Sequence, residues 1–322
     1  MIKKITAIFL AAICMITILC SCGAENGKTK DEKINIVCTV FPYYDWVRSI
    51  AGESDNINIT LLLDSGTDLH SYQPTAADII TISSADIFIY TGGTSDSWVK
   101  DVLKTSKNEN TVVLELMANL PENELYCVEA IGEDEHHHED EDSHNHTHDE
   151  HIWLSLKNAV KLSEIIKNVL CDLDTENKDA YQNNFVKFRS ELEKLDNSYK
   201  TTVENSKKDT LIFADRFPFI YLTKDYGLHY YAAFSGCSAE SEASFETVTK
   251  LAGKIDELGL SHIIITETAD GSVATTVKNA TKDKNQEILT LNSLQSVTKD
   301  KLTLSYITVM EENLTALKEA LS

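Results

Sequence analysis

Positive charge is scarce in this chain. Its 322 residues carry 29 Lys and Arg against 51 Asp and Glu, a formal net charge of −22. Binding to a phosphate backbone needs a basic face, so the balance argues against nucleic acid as a partner. An acidic surface attracts cations instead. Cysteine is sparse beyond the amino end: Cys38, Cys127, Cys171 and Cys237 are widely spaced and form no Cys-x-x-Cys pair. That excludes a disulfide scaffold and a zinc ribbon, and leaves one disulfide or four buried thiols open. There is no Gly-x-x-x-x-Gly-Lys-Ser/Thr loop, so the chain itself hydrolyses no nucleotide. His-Glu-x-x-His and Gly-x-Ser-x-Gly are missing too. An extracytoplasmic metallohydrolase, which needs a ligated water beside a general base, is therefore disfavoured. After residue 19 no apolar run reaches the roughly 20 residues of a membrane span.

The amino end is different. Lys3 and Lys4 precede an almost unbroken apolar run over 5–19, too short for a comfortable span. Leu19-Cys20-Ser21-Cys22-Gly23 resembles a bacterial lipobox, with an aliphatic residue three before Cys22 and a small one just before it. The resemblance implies a signal peptide over 1–21 and a diacylglycerol on the Cys22 sulfur; an ordinary secretory signal is the alternative. Loss of Lys3 and Lys4 takes the net charge from −22 to −24. Residues 22–33 are polar and read as a tether. The protein is then expected on the outer face of the bacterial cytoplasmic membrane, anchored to the bilayer through Cys22 and monomeric.

Seven of the ten histidines fall in one acidic stretch, EDEHHHEDEDSHNHTHDEH, over 133–151. They are His136, His137, His138, His144, His146, His148 and His151. Neutral imidazole is the commonest protein ligand of late first-row metals. An internal, irregular run is unlike a purification tag, so it points to metal handling, with a solvated low-complexity loop as the bland reading.

Around this stretch strands and helices alternate. Strands are expected near 34–41, 57–63, 86–90 and 111–116, with helices near 42–50, 74–84 and 95–105. Two helices, 154–172 and 176–206, follow the His-rich stretch. The second has Phe185, Phe188, Leu192, Leu195 and Tyr199 at three- and four-residue spacing, a core stripe. Strands near 210–214, 228–234, 261–267 and 287–291 then alternate with helices near 218–226, 244–258, 271–281 and 304–321. The rhythm predicts an α/β fold: two α/β lobes with parallel central sheets, joined by a long helix, with a metal cleft between them. The expected domains are 34–172 with the His-rich loop 133–150, a connecting helix over 173–207, and 208–322.

Ligands of open α/β sheets bind beyond the carboxyl ends of the strands. Four side chains meet that rule: His70, His151, Asp215 and Glu267. Two imidazoles and two carboxylates suit Zn²⁺ or Mn²⁺. Each has a plainer role available: His70 in a solvated turn, His151 ending the tract, Asp215 and Glu267 capping helices. His229 and His262 lie in strands and read as core or edge histidines.

SGTDLHSYQPTAADI around His70 resembles the first metal-ligand segment of the zinc/manganese solute-binding lipoproteins of ABC importers. DEHIWLSLKNAV around His151 resembles their second. The order of lipobox, lobe, acidic His-rich insertion, long helix and second lobe is similar as well. The resemblance implies that His70 and His151 are ligands. It also exposes a departure: many members carry a third histidine where this chain has Ala214-Asp215-Arg216-Phe217. Asp215 is the expected replacement, because Arg216 cannot ligate. An acid is usual after the last strand, where this chain has Leu291-Asn292-Ser293-Leu294-Gln295. Gln295 is a weaker oxygen donor, and Glu267 the more ionisable choice.

The resemblance implies a binder rather than an enzyme. The cargo is expected to be Zn²⁺, with Mn²⁺ as the alternative, delivered to an ABC permease and its ATPase. The loop histidines His136 to His148 would collect metal. A surface metal buffer or adhesin is the other class.

Overall fold

The computed structural model describes residues 33–106, 108–127, 148–236 and 242–322. Ile36 and Val37 of β1 (Ile34–Cys38) are completely buried, as expected of a central strand covered on both faces. β1 pairs in parallel with β2 (Ile57–Leu61) on one side and β3 (Ile87–Tyr90) on the other, and β4 (Val112–Glu115) lies beyond β3. The order is β2-β1-β3-β4. The second half repeats it as β6-β5-β7-β8, with β5 (Thr210–Phe217), β6 (His229–Ser235), β7 (His262–Thr266) and β8 (Glu287–Leu291), again all parallel. The expected α/β class with two parallel sheets is what forms.

Helices α1 (Phe41–Ala51), α2 (Ala76–Ser83) and α3 (Val99–Leu103) belong to the first half. Pro42 sits in the first turn of α1, where its missing N–H is no loss. Thr75 and Asp78 form a capping box at the start of α2. α3 is shorter than the pattern suggests, because Asp96 is consumed in a turn, accepting hydrogen bonds from the Thr91 and Gly92 amides. α4 (Leu156–Leu173) and α5 (Lys178–Glu204) follow, then α6 (Ile220–Tyr226), α7 (Phe245–Leu258), α8 (Ser272–Ala280) and α9 (Tyr306–Ala320). Among the described residues no helix is long and apolar enough to cross a membrane.

α5 has 27 residues, roughly 40 Å at 1.5 Å per residue. Its buried stripe Tyr181, Phe185, Phe188, Leu192, Leu195 and Tyr199 packs on α4, α1 and α9. Tyr199 donates to the Met310 carbonyl at 2.6 Å, and Asn184 to the Ile50 carbonyl at 3.1 Å. One long helix thus braces helices from both halves; a large apolar cluster spans both, and a smaller one lies within the second half.

A buried carboxylate strengthens that brace. Asp45 of α1 accepts from the Tyr306 amide, at the start of α9, at 2.6 Å, and pairs with Arg48. Arg48 in turn donates to the Leu302 and Leu304 carbonyls. Burial raises the Asp45 pKa; the Tyr306 amide and Arg48 pull it back down. Asp45→Ala removes the carboxylate paired with the half-buried Arg48 guanidinium and leaves the buried Tyr306 N–H unpaired. We expect it to cost about 3 kcal/mol of unfolding free energy, read as a lower urea midpoint at unchanged m-value. A loss below about 1 kcal/mol would contradict this role for Asp45.

Candidate metal centre

His70 lies in a single 3₁₀ turn, Leu69–Ser71, beyond β2. Asp68 starts that turn, its Oδ1 accepting the His70 amide at 2.8 Å. The imidazole Nδ1 lies 2.7 Å from Ser95 Oγ. Ser95 is positioned by the loop after β3, where Gly92 and Gly93 have φ of 94° and 92°. A Cβ at Gly93 would come 2.7 Å from Glu150 Oε1, so glycine is needed for both conformation and space. The Ser95 amide donates to that same Glu150 oxygen at 2.8 Å.

His151 is fully buried. Asp149 Oδ1 lies 2.9 Å from both its backbone nitrogen and its Nδ1. Its ring meets Trp153 edge to face at 5.2 Å, and Trp153 Nε1 donates to the Ser293 carbonyl at 2.8 Å. Ser293 belongs to the loop after β8, in the second half. Leu294 there has φ of 62°, a left-handed conformation costly for a branched residue. This kinked loop carries Gln295, whose Oε1 lies 2.9 Å from His151 Nε2.

The two imidazoles converge. Each Nδ1 is engaged outward, and the two Nε2 atoms are 3.3 Å apart. A tetrahedral zinc with Zn–N bonds of about 2.05 Å holds two nitrogens about 3.3–3.4 Å apart. The spacing therefore matches a pair of ligands on one ion. Burial, with the charge of His151 next, lowers the His70 pKa to about 4. Burial also opposes charge on His151, but Asp149 and Gln295 outweigh it and raise that pKa. His151 Nε2 thus faces both His70 Nε2, at 3.3 Å, and Gln295 Oε1, at 2.9 Å. Asp68, Asp149, Glu150 and Glu267 make the surroundings negative.

The two acids expected from the second half behave differently. Glu267 is close enough for the His151 charge to lower its burial-raised pKa. Both its oxygens are held by Ser293, through the amide and the hydroxyl, at 2.7 Å each. Glu267 therefore shapes the loop that delivers Gln295. Asp215 does not immediately follow β5 as expected. β5 continues to Phe217 through a register shift between Phe213 and Arg216. Asp215 Oδ2 accepts from the Thr266 amide and hydroxyl at the end of β7. Among the described residues, neither Asp215 nor Glu267 closes with both imidazoles into a group whose ligand atoms lie within 4.8 Å. Arg216 reaches across instead, to Asp68 at 3.0 Å. Gln295, the weaker expected donor, is the second-half side chain that touches a histidine. His148 lies 3.1 Å from Glu122. The other loop histidines, His136, His137, His138, His144 and His146, lie outside the described residues, as do Cys22 and residues 1–32.

The family described as ZnuA, zinc-uptake complex component A, periplasmic, matches residues 36–320. The chain belongs to the ZnuA family. Among curated relatives it is 31% identical over 322 residues to the zinc-binding lipoprotein AdcA of Streptococcus pneumoniae, covering 98% of this chain and 61% of the relative. It thus spans about three fifths of that relative's length. It is 32% identical to the high-affinity zinc uptake system protein ZnuA of Bacillus subtilis, covering 100% of this chain and 99% of the relative. The crystal structure of the Zn(II)-bound ZnuA-like domain of Streptococcus pneumoniae AdcA superposes with a TM-score of 0.70 at 28% identity, over 90% of this chain and 99% of that one. The two four-stranded parallel sheets are thus the fold of known ZnuA-like proteins.

The protonation pattern fixes a pH dependence. A metal must displace the His151 proton, whose pKa is raised, whereas neutral His70 adds no such cost near pH 7. Metal affinity should rise with pH and level off once His151 would be neutral without metal. Asp149→Asn removes the carboxylate that holds the ring. It should weaken affinity about 10- to 100-fold at neutral pH and move the acid limb to lower pH, read by competition titration. An unchanged affinity would refute the role of Asp149.

Proposed function

We propose that this chain captures Zn²⁺ outside the cell and hands it to an ABC permease driven by a cytoplasmic ATPase. One observation carries the reading: two imidazoles, His151 buried and His70 largely so, whose Nε2 atoms face each other at 3.3 Å, the spacing of neighbouring ligands on tetrahedral zinc. Family membership and the zinc named in the relatives support it. Lipid on Cys22 would tether the chain to the outer face of the membrane, with 22–33 as the tether. The lobes 34–172 and 208–322, joined through the helix over 173–207, would close on the ion. The loop 133–150 would gather metal through weak, exchanging contacts.

In the cleft, His70 and His151 supply nitrogen and Gln295 oxygen. Glu267 is the acid best placed to add charge, by turning from Ser293 towards the ion. Asp215 would join only if it left Thr266. Zinc is the cargo we favour over manganese, because imidazole nitrogens dominate the site. The chain acts as a binder, with no catalytic step assigned to any residue.

The test is competition titration of Zn²⁺ and Mn²⁺ on the chain lacking residues 133–150. We expect one tight Zn²⁺ to remain and to be lost in His70→Ala. Disappearance of tight binding with the loop would favour a metal buffer. A clear preference for Mn²⁺ would overturn the choice of cargo, and ester or peptide turnover that requires His70 would revive the hydrolase.

A further inference from the structure

A second group of metal-ligating side chains lies at the other end of the second sheet. His262 and Glu287 are the first residues of β7 and β8, and the parallel register pairs them directly. Glu319, in the last turn of α9, completes the group. Ligand atoms of the three residues all lie within 4.8 Å of one another. His262 is partly buried and the two glutamates are exposed. Glu267 lies at the far end of β7 from His262, roughly 15 Å away along the strand. This group is therefore separate from the cleft.

Nothing within the described protein satisfies these groups. Neither glutamate carboxylate has a hydrogen bond or an ion pair among the described residues. His262 Nδ1 is buried with no partner at all, although most buried polar atoms have one. Two carboxylates held this close repel each other. Glu319 adds to the imbalance, because the carboxyl end of a helix already carries partial negative charge and favours a cation. A divalent ion answers all of these at once. It would neutralise the carboxylates, offset the helix end and give the imidazole a partner.

We propose that His262, Glu287 and Glu319 form an auxiliary site for a borderline divalent cation of the Zn²⁺ class. One imidazole and two carboxylates with a water as fourth ligand is a zinc-type donor set, and the imidazole discriminates against Mg²⁺ and Ca²⁺. The ion ties the last turn of α9 to the starts of β7 and β8. It leaves the cleft and the His-rich loop untouched, so the proposal does not depend on the cleft reading.

Equilibrium dialysis of the full chain against micromolar Zn²⁺ tests the site. The Glu287→Gln/Glu319→Gln double variant changes exposed, unpaired side chains and should fold as the parent does. It is expected to hold one Zn²⁺ fewer per chain than the parent, and adding His70→Ala should remove one more. If the double variant binds as many ions as the parent, the auxiliary site does not exist, whatever His70→Ala does.

Discussion

Two imidazole nitrogens held 3.3 Å apart in an acidic setting are the arrangement on which the cleft depends. Much of what surrounds them serves to hold it. Asp149 and Ser95 occupy the outer nitrogens and so aim the inner ones at a common point. With Gln295, Asp149 also outweighs burial and raises the His151 pKa. Left to themselves the rings would turn apart or protonate into water. The surrounding protein prevents both by burying His151 and packing its ring on Trp153.

That packing reaches across the molecule. Trp153 lies edge to face with Tyr43, and Trp46 with Tyr306, at the head of α9. The Trp153 indole donates to Ser293 and its carbonyl accepts from Tyr306. The same residues that brace α9 against the first half therefore also fix the loop carrying Gln295. α5 runs along this assembly, packed on α4, α1 and α9. Arg216–Asp68 and Gln295–Asp68 join the two halves beside the cleft.

The alternation of strand and helix was legible because hydrophobic periodicity survives in every segment, and element boundaries fall within a few residues of those expected. That His70 and His151 converge was legible from strand ends and local motif. Asp215 was misplaced because Ala214-Asp215 looks like the end of a strand, whereas a register shift lets β5 run three residues further. The contact of Gln295 with His151 was not legible, because it depends on the kink at Leu294. Asp149 and Glu150 were hidden in a run of acids, where composition cannot separate a positioning carboxylate from a solvated one. His262 read as an edge histidine; its neighbours emerged only from strand register and the path of α9.

The central claim is that one ion sits between His70 and His151. Zinc K-edge X-ray absorption on the full chain loaded with one equivalent of Zn²⁺ tests it most directly. The account predicts two imidazole nitrogens at about 2.0–2.1 Å with oxygen completing the shell, and one imidazole fewer in His151→Ala. A shell without imidazole, or one unaltered by that substitution, would contradict it.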